Sequence, residues 1–191
     1  MHRQQLLKLI ERYDREHPDE NERTTARFRE FVSAQEDCFE RSLAIGHVTG
    51  SCWIVDAAGE RVLLTHHRKL QKWLQLGGHA DGDSDVLRVA LREAEEESGL
   101  SQIEPVSVEI FDLDIHKIPA RKSEPEHEHF DVRFALQHRG DGAFQVSEES
   151  LDLAWIPIAE LETVTTEESM LRMARKWANF ASNLDTGSCR S

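Results

Sequence analysis

Gly77-Gly78-His79-Ala80-Asp81-Gly82-Asp83-Ser84-Asp85 runs directly into Val86-Leu87-Arg88-Val89-Ala90-Leu91-Arg92-Glu93-Ala94-Glu95-Glu96-Glu97-Ser98-Gly99-Leu100, a glycine loop feeding an acidic helix. Asp83, Ser84 and Asp85 are each good N-cap residues, the residues after them are strong helix formers, and Gly99 supplies a left-handed stop. At about 100° per residue, Glu93, Glu96 and Glu97 stand at i, i+3 and i+4 and project from one side. Three carboxylates so placed repel one another unless a cation intervenes, and Mg²⁺ is a hard ion that takes oxygen ligands. The alternative is a solvated acidic face. The placement argues against it. Leu87, Ala90, Leu91 and Ala94 form the apolar arc, while Val86 and Val89 precede the glutamates on their own side. The acids therefore stand at the rim of a buried face, where unpaired charge is costly.

These residues resemble the Nudix signature, in which a Gly is followed after five residues by Glu and after seven more by Arg-Glu-aliphatic-x-Glu-Glu-x-Gly-aliphatic. Gly78, Arg92, Glu93, Ala94, Glu96, Glu97, Gly99 and Leu100 fall on it in register. The resemblance implies an α/β fold, a Nudix-like α/β/α sandwich around a mixed sheet. It implies that Gly78, Glu93, Glu96 and Glu97 bind catalytic Mg²⁺ or Mn²⁺ and that Arg92 orients Glu93, itself a possible general base. Family members often carry a further acid in a loop upstream of the last strand, where Glu148 and Glu149 stand, so the catalytic set is Glu93, Arg92 and Glu149. Two positions depart. Ser84 replaces the early Glu, which usually supports the site from behind the metal ligands, and Asp83 and Asp85 flank the gap as possible substitutes. Leu76 stands where many members have Pro.

The chain has 191 residues, 39% of them apolar, and a formal net charge of −13. That length supports one domain of ordinary size with a real core. The negative charge opposes binding to phosphate backbones, so a nucleic acid partner is not expected. Cys38, Cys52 and Cys189 are odd in number and show no CxxC spacing, which points away from a disulfide framework and a zinc ribbon and toward a reducing cytoplasm. No apolar run suggests a signal peptide or a membrane span.

Outward from the central stretch, Leu6, Leu9, Ile10 and Tyr13 predict a helix over 2–16, and Phe28, Phe31, Val32 and Phe39 a second over 22–40. Together they form an N-terminal helical extension (1–42) that covers the sheet, walls the substrate pocket or mediates homodimerisation. The remaining domain spans 43–185, and 186–191 is expected to be a disordered tail. His47–Val55 and Arg61–Thr65 read as a hairpin. His67 and Arg68, at its far end, carry local positive charge that could meet substrate phosphate or simply face solvent. Trp73 is expected to pack under the glycine loop.

After the helix, residues 106–118 and 127–136 read as strands with one apolar and one polar face. A pairing of His116 with His127 would bring Asp114 near His129 and Asp112 near Asp131, with Arg133 close by. Imidazoles and carboxylates gathered on one face are raw material for a transition-metal site. His79, His116, His127, His129 and Asp131 are thus a candidate second metal or phosphate site, and Arg133 a candidate phosphate contact. A merely exposed strand face is the alternative. Leu153–Pro157 reads as the last strand, followed by a short helix at Ile158 and a C-terminal helix through Met170, Met173 and Trp177.

The function implied by the resemblance is metal-dependent hydrolysis of a diphosphate linkage in a nucleoside-diphosphate-linked small molecule. An isopentenyl-diphosphate-isomerase-like enzyme ranks below it, because the box keeps hydrolase spacing and no matching cysteine motif is present. A non-catalytic nucleotide sensor of the same fold has only Ser84 in its favour.

Overall fold

The computed structural model describes residues 2–18, 22–121, 125–140, 144–145 and 150–187. Helix α1 (Gln4–Glu16) buries Leu6, Leu9, Ile10 and Tyr13 along one face. Helix α2 is Glu22–Ala34. It stops short of residue 40 because the chain must turn to bury Phe39 and to let the Cys38 carbonyl accept the Val48 N–H at 2.7 Å. The strands are β1 (Gly46–Val55), β2 (Arg61–His67), β3 (Lys72–Leu74) and β4 (Leu76–His79), followed by helix α3 (Val86–Ser98). Then come β5 (Ile103–Pro105), β6 (Asp112–Ile118), β7 (His127–His138), β8 (Ser150–Pro157), a 3₁₀ turn (Ile158–Thr163) and α4 (Glu168–Gly187). The stretch expected as one strand over 106–118 is broken, since the segment after Pro105 turns at Ser107, whose Oγ accepts the Glu109 N–H at 3.1 Å. Helix α4 continues two residues into the expected tail. No helix among the described residues is long and apolar enough to cross a membrane.

The strands form one mixed sheet in the order β3-β2-β1-β7-β5, with β4 beside β1, β6 beside β7 and β8 beside β2. β1 and β7 run parallel from Gly46↔Glu128 to Val55↔Gln137, and the other pairings are antiparallel. Every residue of β1 is buried, as a central strand covered on both faces must be.

Strand alternation divides the interior into two layers. Val48, Cys52 and Ile54 of β1 and Phe130, Val132, Phe134 and Leu136 of β7 face α1, α2 and α3 in one apolar cluster. Phe130 stacks on Phe31 with ring centroids 3.8 Å apart and takes the edge of Phe28 at 5.3 Å. The N-terminal helices thus share the main core with the sheet. Trp53, Val55 and Ala135 face the other way, against Met170, Met173 and Trp177 of α4.

The polar positions of β7, expected on a pocket-lining face, are buried as well. Arg133 is 2% exposed, and its guanidinium reaches Asp131 at 2.7 Å, Asp112 at 3.1 Å and Asp114 at 3.2 Å. Arg172 and Lys176 of α4 close on Asp112 at 2.7 and 2.8 Å, and Lys176 also donates to the Tyr13 hydroxyl of α1. This network ties α1, β6, β7 and α4 together.

Candidate active site

The sequence around α3 folds as its caps direct. Asp85 is the N-cap, accepting the Arg88 N–H at 3.3 Å, and Gly99 ends the helix at φ +66 with its N–H on the Glu95 carbonyl. The helix lies close on the sheet because Gly50 and Gly78, paired across β1 and β4, leave room for it. A Cβ at Gly50 would stand 2.9 Å from a Val89 methyl, and one at Gly78 would stand 2.5 Å from the Glu93 carboxylate. The most buried row of α3 includes Val86, Val89, Ala90 and Ala94, with Leu87 and Leu91 only partly buried. Glu93 and Glu97 continue the Val86–Val89 side, where both are half-buried, and Glu96 is exposed.

Glu93 sits over the Gly78 backbone with its side chain 15% exposed. Burial pushes its carboxyl above the usual range, Arg92 draws it back, and the charge of Glu96 raises it further. Arg92 Nη2 donates to Oε1 of Glu93 at 2.8 Å and to the His79 carbonyl at 2.9 Å, locking carboxylate and glycine loop together. The three glutamates do not converge on one point, yet they offer hard oxygen donors on one side, beside a backbone that comes close only because residue 78 lacks a Cβ. These residues fit Mg²⁺ or Mn²⁺.

The loop preceding α3 is held by ion pairs. Arg41 engages Asp81, and Arg88 engages Asp83 at 2.6 and 2.8 Å. Asp83 also accepts the Asp85 N–H at 2.9 Å. Asp83 and Asp85, the candidates to replace the Glu missing at Ser84, are therefore occupied in starting the helix. Trp73 stacks on His66 at 5.1 Å rather than lying under the loop.

The histidines gather in a register two residues from the expected one. His116 pairs with His129, Asp114 with Asp131, Asp112 with Arg133, and Ile118 with His127. A slip of two keeps each side chain on its face, so the histidines still come together. The parallel ladder adds one that sequence reasoning missed, since His47 lies opposite His129. The signal was present in the alternation of His47, Thr49 and Ser51 along β1.

The ligand atoms of His47, His127 and His129 all lie within 4.8 Å of one another. The His79 ring is 5.0 Å from His47 and 5.1 Å from His129. His47 is 3% exposed, and neither of its ring nitrogens has a hydrogen-bond partner of normal geometry; His129 Nε2 is likewise buried without one. Leaving such groups unpaired costs roughly 1–3 kcal/mol each. Burial, then the neighbouring imidazoles of His79 and His127, lowers His47 to about 4. Burial, then His47, His116 and His79, lowers His129 to about 2.

Two expected members of this group serve elsewhere. Asp131 accepts from Thr49 at 2.8 Å and Ser51 at 2.6 Å through one oxygen, and from Arg133 and Gln75 through the other. His116 is 5.4 Å from the His129 ring, but its Nδ1 is 3.5 Å from Asp114. Arg133, expected at a substrate phosphate, belongs to the interior ion network instead. His67 Nδ1 accepts the N–H groups of Lys69 and Leu70, and Arg68 donates to the Ser150 carbonyl at 2.9 Å, so both help to shape the end of β2. Glu148 and Glu149 lie outside the described residues.

Residues 46–177 match the family model described as NUDIX domain. No curated protein matches the chain by sequence. In fold the chain is similar to a C. elegans Ap4A hydrolase binary complex (TM-score 0.58, 18% identity, 71% of this chain and 98% of that one). It is also similar to a NUDIX-family hydrolase from Clostridium perfringens (TM-score 0.52, 25% identity, 70% and 97% covered). A third likeness is the NUDIX domain of Shewanella oneidensis NrtR complexed with ADP ribose (TM-score 0.51, 15% identity, 80% and 97% covered). With the family model covering more than half of the sequence and the signature folded as loop and helix, the chain belongs to the NUDIX family.

Proposed function

We propose that the chain hydrolyses the diphosphate linkage of a nucleoside-diphosphate-linked small molecule with Mg²⁺ or Mn²⁺. The observation that carries this is Glu93, half-buried over Gly78 and oriented by Arg92. Glu93, Glu96, Glu97 and the Gly78 carbonyl would hold the ion, which when bound neutralises phosphate charge and lowers the pKa of a coordinated water. Arg92 keeps Glu93 in one rotamer and fixes the loop through the His79 carbonyl. Glu93, whose proton affinity is raised by burial, takes the proton of the attacking water.

The substrate class follows the chemistry shared by the ligands named for two relatives. Ap4A and ADP ribose each join adenosine to a second group through phosphate anhydride bonds. Cys38 and Cys52 are free and buried, which suits a reducing cytoplasm. The test is phosphate-product release from nucleotide sugars, dinucleoside polyphosphates, nucleoside triphosphates and ADP-ribose with added Mg²⁺, wild type beside Glu97→Gln. Turnover of one class that the substitution abolishes supports the assignment. Binding without turnover of any of them would make the chain a sensor, and an allylic product from isopentenyl diphosphate would make it an isomerase.

A further inference from the structure

We propose that His47, His127 and His129 form a binding site for Zn²⁺, separate from the ion held by the α3 glutamates. Three imidazoles from two neighbouring strands are brought together by the parallel register His47↔His129, and their ligand atoms lie within 4.8 Å of one another. Tetrahedral coordination with Zn–N bonds of about 2.0–2.1 Å needs nitrogens ~3.3 Å apart, a closure that side-chain rotation supplies. His47 is 3% exposed and neither of its ring nitrogens has a hydrogen-bond partner of normal geometry, and His129 Nε2 is buried without one, so imidazole lone pairs inside the protein lack the partner an ion would supply.

His127 adds an independent indication. Its Nδ1 is 2.9 Å from the Pro125 carbonyl, which can only accept, so the proton is on Nδ1 and the lone pair is on Nε2. Hydrogen bonding of one imidazole nitrogen to a carbonyl is the usual preparation of the other for a metal. An all-imidazole set selects a borderline transition ion over Mg²⁺, which demands oxygen. His47 and His129 occupy the face of β1 and β7 opposite to Val48 and Phe130, hence opposite to α3 and its glutamates. The two sites meet at the loop, where Gly78 lies under Glu93 and His79 packs beside His47 and His129. An ion on the histidines braces that loop.

The experiment uses tag-free full-length protein stripped with EDTA, dialysed, and supplied with excess Mg²⁺ to occupy oxygen sites. Zn²⁺ is titrated in competition with a chromophoric chelator, and Co²⁺ is followed by its visible d–d absorption. One Zn²⁺ per chain is expected, with strong Co²⁺ bands. His47→Gln and His129→Gln should each weaken Zn²⁺ binding at least about 100-fold and abolish the bands, while Glu93→Gln and Glu97→Gln keep both. Far-UV circular dichroism identifies folded variants, and His127→Gln replaces any that fails to fold. The proposal is overturned if wild type binds no stoichiometric Zn²⁺, if the folded histidine variants bind it as wild type does, or if the glutamate variants lose it instead. Because binding rather than turnover is read, the result is independent of the substrate assignment.

Discussion

Arg92 and Glu93, adjacent in sequence, are joined by a hydrogen bond of 2.8 Å from Nη2 to Oε1, and the same nitrogen holds the His79 carbonyl at 2.9 Å. A single guanidinium thus sets both the carboxylate and the loop beneath it. Arg92→Ala should lower kcat by about 10²-fold or more, since a misplaced base loses much of its contribution. Glu93 must be ionised to act, and its carboxyl is raised by burial and held down by Arg92. Removing Arg92 therefore raises it further, and the acid limb of the pH–rate profile should move to higher pH. A profile that keeps its wild-type acid limb would separate Arg92 from Glu93 function.

Glu96→Gln and Glu97→Gln keep side-chain size and remove charge. Each should reduce Mg²⁺-dependent turnover by about 10²-fold or more at limiting metal, with an unchanged circular dichroism spectrum. Wild-type turnover in both variants would remove the metal assignment from α3.

The two glycines under α3 should fail differently. A Cβ at Gly50 meets Val89 at 2.9 Å and the Val86 carbonyl at 3.0 Å, both held by the helix. Gly50→Ala should cost about 1–3 kcal/mol and lower Tm by several degrees. The atoms nearest a Cβ at Gly78 are those at the end of the Glu93 side chain, which can swing away. Gly78→Ala should therefore spare Tm and reduce kcat, a pairing that thermal melts and initial rates measure directly.

Arg133→Met would leave Asp112, Asp114 and Asp131 buried with part of their compensation removed, at a cost of about 3–5 kcal/mol near neutral pH. Burial works to raise Asp112, but the Arg172 hydrogen bond and the charges of Arg133 and Lys176 hold it below the usual carboxylate range; Asp114 is also held low, with His116, Arg133 and Arg172 overcoming burial. Depressed carboxylates stabilise above their unfolded pKa, roughly 3.9, and lose that stabilisation as pH falls through the lower folded value. Wild type and variant should accordingly begin to converge in urea-unfolding midpoints as pH falls below about 4, and draw closer as it falls further. A constant gap down to pH 2 would show that the loss is packing rather than charge.

His47 gives an acid dependence in another window. Its folded pKa is about 4, below an unfolded value of roughly 6.5. Between these the unfolded chain binds the extra proton, so stability is full above pH 6.5 and declines by up to ~1.4 kcal/mol per pH unit as pH falls toward 4. With EDTA present, Tm should fall from pH 7 to pH 5 more steeply for wild type than for His47→Gln. Parallel curves would mean that other groups carry the acid response.

How the chain begins and ends α3, and which residues carry oxygen donors there, was legible in the sequence. Caps, helix formers and i, i+3, i+4 spacing are local, and the signature fixes its own register along one helix. Strand alternation was legible too, because a period of two survives any slip by two. The histidine pairing was not. It depends on how β6 aligns on β7 across a loop, which no local rule sets, and His47 joins only because β1 runs parallel to β7 from a position far away in the chain. The fate of Arg133 and Asp131 was likewise a tertiary decision. Residues that read as one polar strand face were divided by depth, and α4 brought Arg172 and Lys176 onto Asp112. Charge buried at that depth is stable only in a network assembled from several elements at once.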